Sequence, residues 1–202
     1  MDHQIGRILN ALTEEQLLED TVILFASDHG EMLGDHLLFR KAKPFAGSIQ
    51  VPLLLCGAEK YIGQRRGVCD DLAELRDIAP TLLEVAGAPI PSCMDGHSLL
   101  HPLEREYLHG EHAYGADSMH FIHTKTDKYI WYSQSGREMF FDLQRDPRES
   151  HNAIDEPAYR ERVSRLRQYL IAELADREEG YSDGKQLFVG RRPQDLLQHP
   201  EI

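Results

Sequence analysis

The chain has 202 residues, 41% of them hydrophobic and 28% charged, with a formal net charge of −12. This composition fits a globular protein and excludes a collagen-like or wholly disordered chain. The acidic balance argues against nucleic-acid binding and against docking on an anionic membrane, and no apolar run approaches the roughly 18 residues needed to span a bilayer. Cys56, Cys69 and Cys93 are too few and too scattered for a disulfide framework. Met1-Asp2-His3-Gln4 begins the chain without a basic or apolar leader pattern.

Residues 3–18 carry Ile5, Ile8, Leu9, Leu12 and Leu17 at three-to-four spacing, which predicts an amphipathic helix. Thr21-Val22-Ile23-Leu24-Phe25-Ala26 is a continuous apolar run, the pattern of a strand covered on both faces inside an α/β sheet. A polar stretch from 31 to 50 has no clean period, and loops of that length are disproportionately functional. Val51-Pro52-Leu53-Leu54-Leu55 reads as a second buried strand and leaves Cys56 as an inert core thiol. Residues 71–87 read as a helix that Pro80 kinks or restarts and Gly87 stops. Segments 107–110, 118–124, 128–132 and 138–143, separated by turn residues, predict a small antiparallel sheet. Asp146-Pro147-Arg148-Glu149 is a turn, and 157–175 is a charged amphipathic helix with Tyr159, Val163, Leu166, Leu170 and Leu174 on its buried face. Residues 176–202 are aperiodic and read as a polar tail, or as an arm packed on another subunit of a homo-oligomer.

The strongest local signal is Asp28-His29 at the end of the first strand. Ligands of open α/β sheets bind beyond the carboxyl ends of strands, and an adjacent carboxylate and imidazole can share one metal. The plain alternative is a capping Asp followed by a helix-start His. His36 and Lys41 follow within fourteen positions of a glycine-punctuated loop. Together with Asp28 and His29 they suit a metal-bound anion, with the lysine as a mobile second positive charge. Taken singly, each reads as a solvated loop residue. His109, His112, His120 and His123, with Glu111 among them, read as a pocket wall or as strand-surface residues. Tyr114 and Trp131 read as pocket lining or as packing.

Thr21-Val22-Ile23-Leu24-Phe25-Ala26-Ser27-Asp28-His29-Gly30-Glu31-Met32-Leu33-Gly34-Asp35-His36, then Lys41 and Val51-Pro52-Leu53, resembles the second signature region of the sulfatases. These belong to the alkaline phosphatase superfamily, alongside phosphonate monoester hydrolases and phosphodiesterases. Asp77-Ile78-Ala79-Pro80-Thr81-Leu82-Leu83, Met94-Asp95-Gly96-His97-Ser98-Leu99, Lys128-Tyr129-Ile130 and Phe141-Asp142-Leu143 through Glu149 extend the resemblance to about residue 175.

The resemblance implies a partial α/β/α sandwich of the alkaline-phosphatase type over 1–105, an antiparallel sheet with a packed helix over 106–176, and a tail or arm over 177–202. It implies Asp28 and His29 as ligands of a divalent cation. Calcium is the first expectation, and the imidazole also admits manganese, iron or zinc. It makes Lys41 the group that contacts the sulfate and leaving-group oxygen of a small-molecule sulfate ester, with His36 beside it. Arg40 and Ala46 depart from the common pattern, in which Gly precedes the lysine and an acidic residue stands at the second position. The formylglycine nucleophile of the family comes from a Cys-x-Pro-x-Arg-like motif, and Cys56, Cys69 and Cys93 all lie outside such a motif. The residues therefore resemble a C-terminal portion, and the expectation is half a sulfatase site with little activity alone. Phosphonate or phosphodiester hydrolysis and a non-catalytic interaction module are the competing readings. The compartment stays open between cytoplasm and periplasm.

Overall fold

A computed structural model describes residues 1–64, 66–112 and 115–191. Tyr114 and the 192–202 part of the expected tail lie outside the described residues. The chain divides into two compact units, Met1–Asp28 with Val51–Glu104, and His29–Gln50 with the chain from Arg105 onward.

In the first unit, α1 spans Asp2–Glu14 and ends sooner than its apolar spacing predicts, with Gln16 at φ +58° breaking the register. Strand β1 (Ile23–Ala26) pairs antiparallel with β2 (Leu53–Cys56). This corrects the expectation of two buried strands. Among the described residues the pair forms a two-stranded sheet, and Phe25 and Leu54 stay exposed. A continuous apolar run encodes cover on both faces, and this unit buries neither strand fully. Cys56 is exposed rather than a core thiol.

The short helices α2 (Ala46–Ile49, in the second unit) and α3 (Glu59–Ile62) precede a 3₁₀ turn at Leu75–Asp77 that runs into α4 (Ile78–Val85). Pro80 sits in the first turn of α4, where its missing N–H costs nothing. Asp77 is fully buried and organises this region. Its carboxylate accepts the Glu74 N–H at 2.9 Å and the His97 N–H at 2.8 Å. Thr81 accepts the Leu99 N–H at 2.8 Å. Gly96 lies so close to the Arg76 carbonyl that a Cβ would sit 1.9 Å from that oxygen.

The second unit is built on an antiparallel meander, β3 (Leu108–His112), β4 (Met119–His123), β5 (Asp127–Tyr132) and β6 (Glu138–Asp142). Both of its faces are covered. On one, Ile122, Tyr129, Trp131 and Phe140 pack under Val163, Leu166, Leu170 and Leu174 of α5 (Arg160–Glu173) and the residue after it. Fully burying each such side chain contributes about 1.5–3 kcal/mol. On the other, Ile130, Met139 and Phe141 meet Met32 and Phe45 of the polar loop. The period of two sends Tyr129 and Trp131 one way and Ile130 the other, and Trp131 is core packing rather than pocket lining.

The described part of the expected tail folds back as an arm. Tyr181 is buried in the α5 core. The Ser182 hydroxyl donates to the Ile171 carbonyl at 2.7 Å, and the Gly190 N–H donates to the Ser133 carbonyl at 2.9 Å. Tyr181 and Leu187 provide apolar anchors within an otherwise polar stretch.

A buried ion pair and a buried imidazole set how this unit responds to change. Lys128 is 0% exposed and pairs with Glu149, itself 2% exposed. Removing one member of such a pair strands the other charge, at about 3–5 kcal/mol. Glu149→Gln is expected to lower the urea-unfolding free energy by that order, and adding Lys128→Met to restore part of it. An unchanged midpoint in the single variant would sink this assignment. His123 has a buried Nδ1 without a hydrogen-bond partner. Burial, with the Lys128 ammonium as a lesser cause, pushes its imidazole down to about 4. The unfolded chain protonates it near the ordinary value of about 6.5. Its contribution is therefore complete above that pH and is lost as pH falls from there toward 4, by roughly 3 kcal/mol at the lower end. His123→Gln is expected to flatten the pH dependence of stability between 7 and 4.5. Equal slopes for wild type and variant would refute this.

Candidate active site

Strand β1 delivers Asp28 at its carboxyl end, the last residue of the first unit, and His29 opens the second. Asp28 is exposed and His29 half-buried. Gly30 follows because nothing larger fits. Its N–H donates to the Ser48 carbonyl at 2.8 Å, and a Cβ there would lie 2.1 Å from the Gly47 carbonyl oxygen. The chain leaving the strand is thus pressed against the start of α2.

The loop from 31 to 45 is tied at several points. Met32 N–H donates to the Arg40 carbonyl at 3.0 Å and Gly34 N–H to the Leu38 carbonyl at 2.8 Å. Five non-glycine residues take left-handed backbone angles: Leu33 (48°), His36 (54°), Leu37 (59°), Arg40 (67°) and Ala42 (73°). Such conformations cost on the order of 1 kcal/mol each and persist only where surrounding contacts over-determine them. The contacts here are the buried Met32 and Phe45, and the Ala46 N–H, which donates to the Glu149 carboxylate at 2.8 Å. The other oxygen of that carboxylate holds Lys128. Glu149, itself at φ +58° after the Asp146-Pro147-Arg148 turn, couples the sheet to the loop.

The structure brings two of the four sequence-predicted residues into direct contact. Lys41 Nζ lies 2.7 Å from His29 Nε2. His29 Nδ1 lies 2.8 Å from the Gly30 carbonyl, which can only accept, so Nδ1 carries the proton. Nε2 then presents its lone pair to the Lys41 ammonium. An imidazole held in this tautomer next to a carboxylate is a suitable donor pair for a divalent cation. His36 is held by other partners. Its ring stacks on Phe45, with centroids 4.0 Å apart and planes 14° apart, and its Nε2 lies 3.2 Å from the Arg148 carbonyl. It fastens the loop to the turn that carries Glu149.

Sequence reasoning assigned no role to Lys128 and Glu149, although both lie in the segments that carry the resemblance. Their signal is a lysine in an apolar strand and an acid after Asp-Pro, which becomes a pair only when the fold joins them. The surface reading of the strand histidines holds for exposed His112 but not for His120, which is buried.

Comparison with known proteins agrees with this architecture. A family model described as Sulfatase matches residues 1–88. An arylsulfatase of Clostridium perfringens (strain 13 / Type A) is 48% identical over 206 residues, covering 98% of this chain and 43% of that protein. A protein solved in complex with its substrate D-glucosamine-2-N,6-O-disulfate superposes with a TM-score of 0.74 at 26% identity, over 92% of this chain and 40% of its own. The phosphonate monoester hydrolase of Agrobacterium radiobacter gives 0.74 at 26% identity, over 86% and 39%. The chain spans about two-fifths of the length of these relatives. By its residues and its fold, the chain belongs to the sulfatase family.

Proposed function

We propose that these residues supply the metal-and-lysine half of a sulfuric ester hydrolase site. The observation that carries the reading is the contact between Lys41 Nζ and His29 Nε2, beside Asp28, on a loop fixed at both ends. Asp28 and His29 would hold a divalent cation, which supplies neutralisation of charge on the ester oxygens. Calcium is the first candidate, with manganese, iron and zinc admitted by the imidazole.

Lys41 acts on the anion itself. Its ammonium lies against an imidazole lone pair, and a bound cation drawing on that lone pair would release it toward substrate. There it offsets negative charge that builds on the leaving-group oxygen as the ester bond breaks. The positive φ at Arg40 and Ala42 on either side sets the backbone from which it projects. His36 acts through the loop, as a positioning residue.

The formylglycine nucleophile of the family has no precursor motif in these 202 residues, so the chain alone is expected to turn over aryl sulfates barely or not at all. The phosphonate monoester hydrolase similarity favours a second reading, since sulfate and phosphonate esters present similar tetrahedral oxygens.

The test is a chimera that joins the N-terminal portion of the Clostridium perfringens arylsulfatase to this chain, assayed on paired aryl sulfate and phenylphosphonate esters. Sulfate turnover is expected, with Lys41→Ala lowering kcat by about 10²–10³-fold and His29→Ala abolishing metal retention after dialysis. Preference for the phosphonate ester would establish the second reading. A folded chimera whose Lys41→Ala variant keeps full kcat would overturn the role of the lysine.

A further inference from the structure

A second group of metal-ligating side chains lies on the meander sheet, outside the Asp28–His29 pair. Glu111 on β3 stands directly opposite His120 on β4, and His109 precedes Glu111 by two residues, so all three share one face. One ligand atom from each lies within 4.8 Å of the others. His109 Nε2 and His120 Nδ1 are 3.3 Å apart, and Glu111 Oε2 lies 3.3 Å from the same His120 nitrogen. Ligands at 2.0–2.1 Å from a tetrahedral ion are separated by about 3.4 Å along each edge. Two edges of such a polyhedron therefore already exist.

The surroundings fit the same ion. The far nitrogen of His109, Nδ1, faces Glu173 Oε1 at 3.7 Å, a charge contact longer than a hydrogen bond that places a carboxylate on the side away from the other two ligands. His120 is buried and fixed edge-on against Tyr181 and tilted against Trp131. Arg177 pairs with Glu111 at 2.7 Å and with Glu179 at 2.7 Å. Three carboxylates, Glu111, Glu173 and Glu179, against one guanidinium leave two negative charges, which a divalent cation balances. An ionised carboxylate has about four lone-pair sites, so Glu111 can hold Arg177 and a cation together.

We propose that His109, Glu111 and His120 form a binding site for a divalent transition cation of the zinc type, with the fourth position left to water or an added ligand. The site does not depend on the sulfatase reading. It joins β3 and β4 to the arm through Arg177, so occupancy stabilises the second unit by mass action.

The test uses Co²⁺ with the 202-residue chain, in a background of Asp28→Asn and His29→Gln with the three exposed cysteines changed to serine. Trp131 is the only tryptophan, and its ring centroid lies 5.9 Å from that of His120. One equivalent of Co²⁺ is expected to bind and to quench Trp131 fluorescence, with a rise in Tm. His109→Gln and Glu111→Gln are each expected to weaken binding at least tenfold, and Glu173→Gln by about 10–100-fold as an outer-shell change. Glu111 is partly exposed, so its variant carries the test even if His109→Gln disturbs the fold. Absence of stoichiometric Co²⁺ binding, or equal quenching in the Glu111→Gln variant, would overturn the site and leave a hydrogen-bonded His–His–Glu network.

Discussion

The second unit depends on one buried carboxylate. Glu149 is removed from water, and an ionised group in that position is tolerated only with strong partners. It has two: the Lys128 ammonium on the central strand β5, and the Ala46 N–H at the start of α2. Neither partner is near the other in sequence. The same carboxylate thus satisfies a lysine that the sheet has desolvated and draws in the end of the loop that carries Lys41. Burial pulls the Lys128 ammonium down and Glu149 pulls it back up. Apolar packing of Met32 and Phe45 adds to this attachment but lacks its direction, because dispersion contacts fix distance better than orientation.

The attachment explains how the loop can hold five non-glycine residues at positive φ. Free in solution, a segment with that many left-handed residues would relax. Closed by Gly30 on Ser48 at one end and by Glu149 on Ala46 at the other, it has no room to do so. A lysine proposed to meet an ester anion benefits from such a base. Its long side chain carries much rotamer freedom, and a fixed backbone confines where the ammonium can go.

Periodicity showed the meander, the last helix and the helix restarted at Pro80, because each buries one face against a partner close in sequence. The lack of a period marked the stretch that holds Lys41 as a loop, and its lysine meets His29 directly. The unread features are of two kinds. Lys128–Glu149, Ala46–Glu149 and Arg177–Glu111 are pairings across 21, 103 and 66 positions, and a polar residue in a linear sequence does not state its partner. The arm was misread because Tyr181 and Leu187 are isolated apolar residues in a charged stretch, too few to produce a period. The full burial expected of β1 and β2 failed for a related reason. A continuous apolar run reports how much cover a strand requires, and says nothing about which strand lies beside it or in what direction.

The two proposed metal-ligand groups illustrate the same physics at different settings. At His29 a backbone carbonyl takes the Nδ1 proton, and the lone pair thereby freed meets a lysine, a charged group that can leave when a stronger Lewis acid arrives. At His109 a carboxylate faces Nδ1 at 3.7 Å, and Nε2 meets a second imidazole that is locked in the core. A mobile partner on a strained loop suits a group proposed to turn to substrate. Immobile partners on adjacent strands suit a site whose work is to hold. The difference in what faces each lone pair, more than the shared residue type, separates a catalytic reading from a structural one.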